Sequence, residues 1–204
     1  MKAQNDRSRL RREVRHARRA LREDQRLAAD RAICRRIQSL GAYRRARTIA
    51  VYLAFDGEPS LKRLVDAAAR HGKRVFAPVL LRDGMRFAPL ASSAGMGRNF
   101  FGIDEPAAER LADARVLDLV LTPLVAFDSN GVRLGMGRGY YDRAFHFLRH
   151  RRHWTRPKLL GIGYSFQHVP QLEQQVWDIP LWGAVTEAST YRFHGPAAIH
   201  RPES

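Results

Sequence analysis

Three glycines alternate with larger residues in the segment FDSNGVRLGMGRGYYDR, which covers residues 127–143. Gly135, Gly137 and Gly139 lie between an apolar run and a helix that we predict to begin near Tyr140. Because glycine adopts positive φ and lets the backbone approach a ligand closely, this glycine loop (residues 135–139) can turn successive N–H groups toward one anion. The helix N-terminus adds further free N–H groups. The segment is therefore suited to binding phosphate.

Charged side chains flank the glycine loop. Arg133 and Arg138 carry planar guanidinium groups that match phosphate oxygens, and Asp142 falls in the first turn of the predicted helix, where a carboxylate can bind Mg²⁺. These groups suit a nucleoside triphosphate and its metal ion. Glycine spacing alone is a weak signal, because the loop matches neither G-x-x-x-x-G-K-[ST] nor G-x-G-x-x-G. A tight loop before an acid-capped helix is an equal alternative on that basis.

The whole string resembles the signature of the 5-formyltetrahydrofolate cyclo-ligases, also called 5,10-methenyltetrahydrofolate synthetases. Three further segments of that family follow the expected order: RSRLR at residues 7–11, YLAFDGEPS at residues 52–60, and WDIPL with VTE within residues 177–187. The resemblance implies a ligase that forms a C–N bond. It would convert 5-formyltetrahydrofolate to 5,10-methenyltetrahydrofolate with ATP and Mg²⁺, releasing ADP and phosphate.

The resemblance also implies which residues form the site. ATP would contact the N-terminal helix and the glycine loop, at Arg7, Ser8, Arg9, Leu10, Arg11, Arg133, Leu134, Gly135, Met136, Gly137, Arg138, Gly139, Tyr140 and Tyr141. Catalysis would depend on Arg133, Arg138 and Tyr141. Folate would contact Leu53, Glu58 and Phe101, with the Glu58 carboxylate accepting hydrogen bonds from pterin N–H groups. Mg²⁺ would be bound by Asp142 and Asp178.

Residue types alone leave plain structural roles open for the same positions. These are a solvated helix face for Arg7 and Arg11, a turn for Glu58 and Asp178, solvent exposure for Arg138, and packing for Phe100, Phe101 and Tyr141.

The net charge of +16 comes from 36 Lys and Arg against 20 Asp and Glu, with much of the excess in residues 7–47 and 146–158. Basic patches attract polyanions, so a nucleic-acid-binding protein on an α/β scaffold is the second hypothesis. It depends on charge alone, because the sequence has no zinc-finger spacing, RNP-type aromatic signature or basic-region heptads. ATP and folate are also anionic, so we expect no specific nucleic acid partner. A sugar-phosphate isomerase-like enzyme is a third alternative.

Composition agrees with a compact cytoplasmic enzyme. We expect one domain over residues 1–204, a monomer, with residues 188–204 as a loose tail. No segment is apolar enough to span a membrane or to act as a secretory signal. The single cysteine, Cys34, cannot form an internal disulfide and is expected to be a packing residue.

Hydrophobic periodicity predicts the elements that position these residues. Two N-terminal helices have apolar stripes at Leu10, Val14, Ala17 and Leu21, and at Leu27, Ile33, Ile37 and Leu40. Strands are predicted at residues 48–53, 74–79, 117–122, 159–164 and 184–186, with a helix from a Ser60 cap to about His71 and Gly72 beyond its end. The predicted fold is α/β: a three-layer, Rossmann-like, mostly parallel sheet with helices on both faces and an N-terminal helical pair.

Overall fold

The structure, a computed structural model, describes residues 2–90, 95–108, 110–150 and 156–193. Its α-helices are α1 (Lys2–Ala20), α2 (Glu23–Ser39), α3 (Gly41–Arg45), α4 (Lys62–Arg70) and α5 (Tyr140–Ala144). Short 3-10 helices cover Ala114–Val116, His146–His150 and Ser165–Gln167. The strands are β1 (Thr48–Ala50), β2 (Arg74–Leu80), β3 (Met85–Pro89), β4 (Met96–Arg98), β5 (Asp104–Pro106), β6 (Leu119–Pro123), β7 (Ala126–Phe127), β8 (Arg133–Leu134), β9 (Lys158–Ile162), β10 (Gly183–Val185) and β11 (Thr190–Arg192).

A mostly parallel sheet of seven strands, in the order β11-β10-β9-β6-β1-β2-β3, forms the centre of the fold. The strands β2, β1, β6, β9 and β10 are parallel, and β3 and β11 pair antiparallel at the two edges. From β1 the chain adds β2 and β3 on one side of the sheet, and then β6, β9 and β10 on the other, so a switch point lies between β1 and β6. Open α/β sheets bind ligands at such a point, beyond the carboxyl ends of the strands. The predicted α/β class is confirmed.

Side chains alternate between the two faces of the sheet, so each face has its own core. Ile49 and Leu160 point to the face covered by α2, α3 and α4. Ala50 and Val120 point to the opposite face, where Phe145 packs beyond α5. Because strands with both faces covered are buried throughout, β1 and β6 read as continuous apolar runs in the sequence.

Helix α1 packs on the two-stranded sheet β7–β8 through Leu10 and Val14, as its apolar stripe predicts. Further along the helix the predicted stripe is wrong. Ala17 is exposed, and the inward position is occupied by Arg18, whose side chain is fully buried. On α2, Leu27 is likewise exposed, while Ile33 and Ile37 are buried as predicted.

The end of α4 follows the prediction more closely than its start. Gly72 has φ +65°, and the N–H groups of Lys73 and Gly72 donate to the carbonyls of Ala68 and Ala69 at 3.0 Å each, which is the Schellman pattern. Ser60 is not the N-cap, since α4 begins at Lys62 and Ser60 Oγ accepts only a long bond of 3.4 Å from the Lys62 N–H.

Phe100 and Phe101 lie in the connection of a small hairpin, β4–β5. Two other expectations need correction. The strand predicted at residues 48–53 ends at Ala50, so Leu53 lies in the segment that follows it. The tail predicted to be loose over residues 188–204 is wrong in its first part, because β11 pairs with β10; residues 194–204 lie outside the described ranges. Among the helices that the structure describes, none is long and apolar enough to cross a bilayer.

Candidate active site

A buried aspartate anchors the base of the glycine loop. Asp128 Oδ1 accepts from the N–H groups of Asn130 and Val132 at 3.0 Å each, and Oδ2 accepts from the Leu172 N–H at 3.0 Å. Asp128 is fully buried, and Gly131 closes the turn with φ +79°. The D-S-N-G turn therefore fixes β7 to β8 and positions Arg133, a role for Asp128 that was not predicted from the sequence.

The glycine loop lies against α1. Arg11 Nε donates to the Gly135 carbonyl at 2.9 Å. Gly137 has φ +93°, and a Cβ there would lie 3.5 Å from Arg11 Cζ, so glycine serves both the conformation and the close approach. Burial and the positive charge of Arg7 lower the pKa of Arg11. Arg7 and Arg11 thus share the face of α1 that meets the loop.

Arg133 is a buried cation on β8, just before the glycine loop. Its Nη2 donates to Asp142 Oδ1 at 2.7 Å, and its guanidinium lies 5.4 Å from the centre of the Tyr141 ring. Its Nε is buried and has no hydrogen-bond partner in the part of the chain that the structure describes. Burial raises the pKa of Tyr141; the positive charge of Arg133 lowers it, and the negative charge of Glu58 raises it further. Glu58 and Tyr141 therefore lie within electrostatic reach of each other.

Hydrogen bonds at Asp178 and at its neighbour Ile179 connect the two aspartates that are predicted to bind metal. Asp178 Oδ2 accepts from Arg7 Nη2 at 3.3 Å and from the Gln175 N–H at 2.9 Å. The N–H of Ile179, the next residue, donates to Asp142 Oδ1 at 3.3 Å. Arg7 also donates to the Glu173 carbonyl at 2.8 Å. The turn before β10 is thereby attached to both α1 and α5.

These carboxylates fit a magnesium site that a ligand completes. Within the described ranges, hydrogen bonds to Asp142 go to Oδ1 and those to Asp178 go to Oδ2, which leaves the second oxygen of each available to a cation. No group of three or more His, Cys, Asp or Glu side chains in the same ranges could hold a metal ion alone. Mg²⁺ commonly takes one or two protein carboxylates, with phosphates and water as its remaining ligands.

Glu58 lies on the segment that follows β1, close to Arg18. Its Oε1 is 3.6 Å from Arg18 Nη1, and its Oε2 accepts from the Phe55 N–H at 3.2 Å. Burial raises the pKa of Glu58 to about 7, although Arg18 and the Phe55 N–H lower it. The group can therefore change its charge near neutral pH.

The Arg18 side chain lies between the segment after β1 and the end of β6, at the switch point of the sheet. Its Nε donates to the Asp56 carbonyl at 3.0 Å, and its Nη1 lies 3.5 Å from the carbonyl of Leu124, the residue that follows β6. The Asp56 side chain also accepts from Arg15, Arg18 and Arg19. Burial alone would raise the pKa of Asp56, but these arginines lower it below its ordinary value. This cluster was not predicted, although the spacing of the three arginines on α1 is visible in the sequence.

The connection of hairpin β4–β5 brings Phe101 to the glycine loop. Its ring centre is 6.2 Å from that of Tyr140, in an edge-to-face arrangement, and the Arg138 guanidinium lies 5.0 Å from its centre. Phe100 is 59% exposed, so packing in the core is wrong for that residue. Aromatic and cationic groups therefore cover the loop from outside.

The remaining predicted residues divide between the loop and its surroundings. Ser8 lines a groove along α1 together with Arg11. Leu10 and Leu134 pack in the cluster between α1 and β8, and Met136 and Gly139 lie on the open side of the loop. Leu53 is half-buried. Arg9 faces solvent, where it pairs with Asp6 and Glu13, and so lies apart from the others.

Comparisons with known proteins show the family to which the chain is similar. The model of the 5-formyltetrahydrofolate cyclo-ligase family matches residues 3–187. The 5-formyltetrahydrofolate cyclo-ligase of Haemophilus influenzae is 34% identical over 183 residues, covering 86% of this chain and 95% of that protein. The Escherichia coli K12 protein of the same name is also 34% identical, over 88% of this chain and 100% of its own. The structure of Aquifex aeolicus 5,10-methenyltetrahydrofolate synthetase superposes with a TM-score of 0.79 at 29% identity, over 96% of this chain and 97% of that one.

Proposed function

Because the chain belongs to the 5-formyltetrahydrofolate cyclo-ligase family, we propose that it converts 5-formyltetrahydrofolate to 5,10-methenyltetrahydrofolate at the expense of ATP. ATP binds across the glycine loop and the facing side of α1, with its phosphates near Arg7, Arg11 and Arg133. Folate binds beside Glu58 and beneath Phe101. The cleft beyond β1 and β6 thus holds both substrates.

The reaction proceeds without a protein nucleophile. The formyl oxygen attacks the γ-phosphorus of ATP, the bond to the leaving oxygen breaks, and ADP departs. N10 of the folate then attacks the formyl carbon and loses its proton. The C–O bond breaks, phosphate leaves, and the methenyl cation remains. Atoms and charge balance with no further reactant.

The chain contributes positioning and charge stabilisation to these steps. Arg133, held by Asp142, directs a desolvated cation at the transferred phosphoryl group. Arg138 is exposed on the loop, with its guanidinium over the Phe101 ring. From there it stabilises negative charge on the phosphates. Tyr141 is half-buried beside Arg133, and its raised pKa keeps its hydroxyl protonated. Glu58, when ionised, accepts hydrogen bonds from the pterin N–H groups.

Mg²⁺ would be held by the free oxygens of Asp142 and Asp178, together with ATP phosphates and water. When bound, it neutralises charge on the phosphates.

The observation that carries this proposal is the state of Arg133. It is 7% exposed, and its Nε is unpaired among the described residues, at the point where the glycine loop, Asp142 and Tyr141 meet. A buried N–H group without a partner is unfavourable unless a ligand supplies the acceptor. Phosphate oxygens meet that need.

A direct assay tests the proposal. The protein is incubated with 5-formyltetrahydrofolate and MgATP, and the near-ultraviolet absorbance of the methenyl product is followed. We expect product only when MgATP is present, and a fall in kcat of roughly a hundredfold or more for Arg133→Met. The control is Arg86→Gln, an exposed arginine that pairs with Asp113, which should retain full activity. A wild-type protein that forms no methenyl product would overturn the proposal.

A further inference from the structure

A cavity of about 310 Å³ lies beside Glu58, between α2, the segment after β1 and Tyr164, which is two residues beyond β9. Its polar lining includes Arg26, Asp30, Asp56, Glu58, Ser60 and Tyr164. Cavities of roughly 300–1,000 Å³ with a few converging polar groups are typical of small-ligand sites. None of the roles assigned above uses Tyr164.

The hydroxyl of Tyr164 is buried without a hydrogen-bond partner among the described residues. The residue is only 2% exposed, and its ring is fixed by stacking on Phe166, with centres 5.5 Å apart and planes at 13°. Its N–H donates to Gln167 Oε1 at 2.8 Å. A rigid, unpaired hydroxyl in a cavity lining is unfavourable in the empty protein, and a ligand that supplies an acceptor would remove that penalty.

The acids that line the cavity define the rest of the ligand. Asp30 is 8% exposed and its Oδ1 accepts from the Ser60 N–H at 2.9 Å. Glu58 has one long contact to Arg18 and one to the Phe55 N–H. Ionised carboxylates only accept hydrogen bonds, so they select a ligand edge with N–H donors. Burial raises the pKa of Tyr164 to about 12, with Asp30 adding to the rise, so its hydroxyl remains a donor at neutral pH.

A pterin has an edge with this pattern, since ring and amino N–H donors stand beside a carbonyl acceptor. We propose that Tyr164 is a folate-binding residue, whose hydroxyl donates to the pterin carbonyl while Glu58 accepts from the pterin N–H groups. The inference rests on the proposed function and extends it, because it assigns the pterin to this cavity and names a residue that contacts its carbonyl.

The test is Tyr164→Phe, which keeps the ring and removes only the hydroxyl. We expect unchanged or higher thermal stability, because the hydroxyl has no hydrogen-bond partner among the described residues. The Kd of 5-formyltetrahydrofolate, measured calorimetrically without ATP, should rise about tenfold, as for loss of one hydrogen bond. The KM for MgATP should not change. The matched control is Tyr43→Phe, a buried tyrosine whose hydroxyl contacts His71 Nδ1 at 3.3 Å; it should leave folate affinity unchanged.

An unchanged folate Kd or a large loss of stability in the variant would overturn the inference. A wild-type protein that makes no methenyl product would instead overturn the proposed function, so the two failures can be told apart.

Discussion

Asp142 has two roles in the proposed site. Its Oδ1 accepts from Arg133 and from the Ile179 N–H, and the hydrogen bonds within the described ranges leave Oδ2 for a cation. Its position in the first turn of α5 is one where a negative charge is favourable. The residue that would bind Mg²⁺ is thus the residue that pairs with Arg133.

Replacing Asp142 by Asn separates these functions. The amide oxygen still accepts from Arg133, but the anionic metal ligand is lost, so the Mg²⁺ concentration for half-maximal activity should rise about tenfold or more. A magnesium titration of the steady-state rate measures this. Asp66→Asn, an exposed acid on α4, is the control. Wild-type kinetics across the titration would leave Asp142 as a helix-start residue only.

Glu58→Gln should impair folate use more than ATP use. In the proposed complex the carboxylate accepts hydrogen bonds from two pterin N–H groups, whereas the glutamine amide would place its own N–H donor against one of them. Loss of a charge-assisted hydrogen bond corresponds to about 1.5–3 kcal/mol, so the folate KM should rise roughly ten- to a hundredfold, with the KM for MgATP little changed. Steady-state kinetics with each substrate varied in turn provide the measurement. An unchanged folate KM would remove Glu58 from the folate site.

The raised pKa of Glu58 gives the same variant a pH signature. Burial raises this pKa from 4.5 to about 7, so between those values the folded protein retains a proton that the unfolded chain has released. Wild-type stability should therefore decrease as pH rises through this range, and Glu58→Gln should gain up to about 3 kcal/mol relative to wild type by pH 8. Urea unfolding at pH 5 and pH 8 tests this. A difference between the two proteins that is independent of pH would contradict it.

At the scale of elements, helix α1 connects the two halves of the site. Its first half reaches the glycine loop and the Asp178 turn through Arg7 and Arg11. Its second half is attached to the Glu58 segment through the arginines that surround Asp56. Arg26 of α2 caps the end of α1 by donating to the carbonyls of Arg18, Arg19 and Leu21. Docking of this helix therefore positions both proposed substrates.

Arg18→Met tests the attachment. Removing the buried guanidinium leaves Asp56 and Glu58 with one cation fewer in a poorly solvated place, and the free energy of unfolding should fall by about 3 kcal/mol. Arg19→Gln removes a contact to the same carboxylate from a side chain that is 60% exposed, so it should change stability by less than about 1 kcal/mol. Urea denaturation of both variants provides the comparison. Equal losses would show that depth of burial does not distinguish the two arginines.

At the scale of the whole molecule, part of the net charge of +16 lies around the glycine loop. Arg11 donates to the loop at Gly135, Arg133 precedes the loop on β8, and Arg7 pairs with Asp178. Further arginines of α1 are neutralised by Asp56. A cationic cleft of this kind attracts small polyanions and also gives nonspecific affinity for nucleic acid.

We expect short duplex DNA to bind weakly at physiological salt, with affinity falling steeply as salt rises, because only counterion release drives it. MgATP should compete, since both anions would occupy the same cleft. Fluorescence anisotropy with a short duplex, at two salt concentrations and with or without MgATP, measures both effects. Tight, sequence-selective binding that MgATP does not affect would favour the nucleic-acid hypothesis instead.

The sequence by itself determined the local features of this protein. The glycine loop, the helix that begins at Tyr140, the Gly72 stop of α4 and the strands around Ile49 and Val120 all follow from side-chain periodicity and glycine conformation. These properties act over a few residues, so they can be read without a partner. For the same reason the motif string was sufficient to indicate the family.

Only the tertiary structure decided which polar groups are buried. Ala17 is the better apolar candidate on α1, yet Arg18 faces inward because Asp56, 38 residues away, compensates its charge. The unpaired hydroxyl of Tyr164 likewise depends on neighbours from α2 and from the segment after β1. Burying a polar or charged group is unfavourable unless a partner meets it, and a partner distant in sequence cannot be read from local pattern. The fold class therefore followed from the sequence, while the electrostatics of the site required the assembled chain.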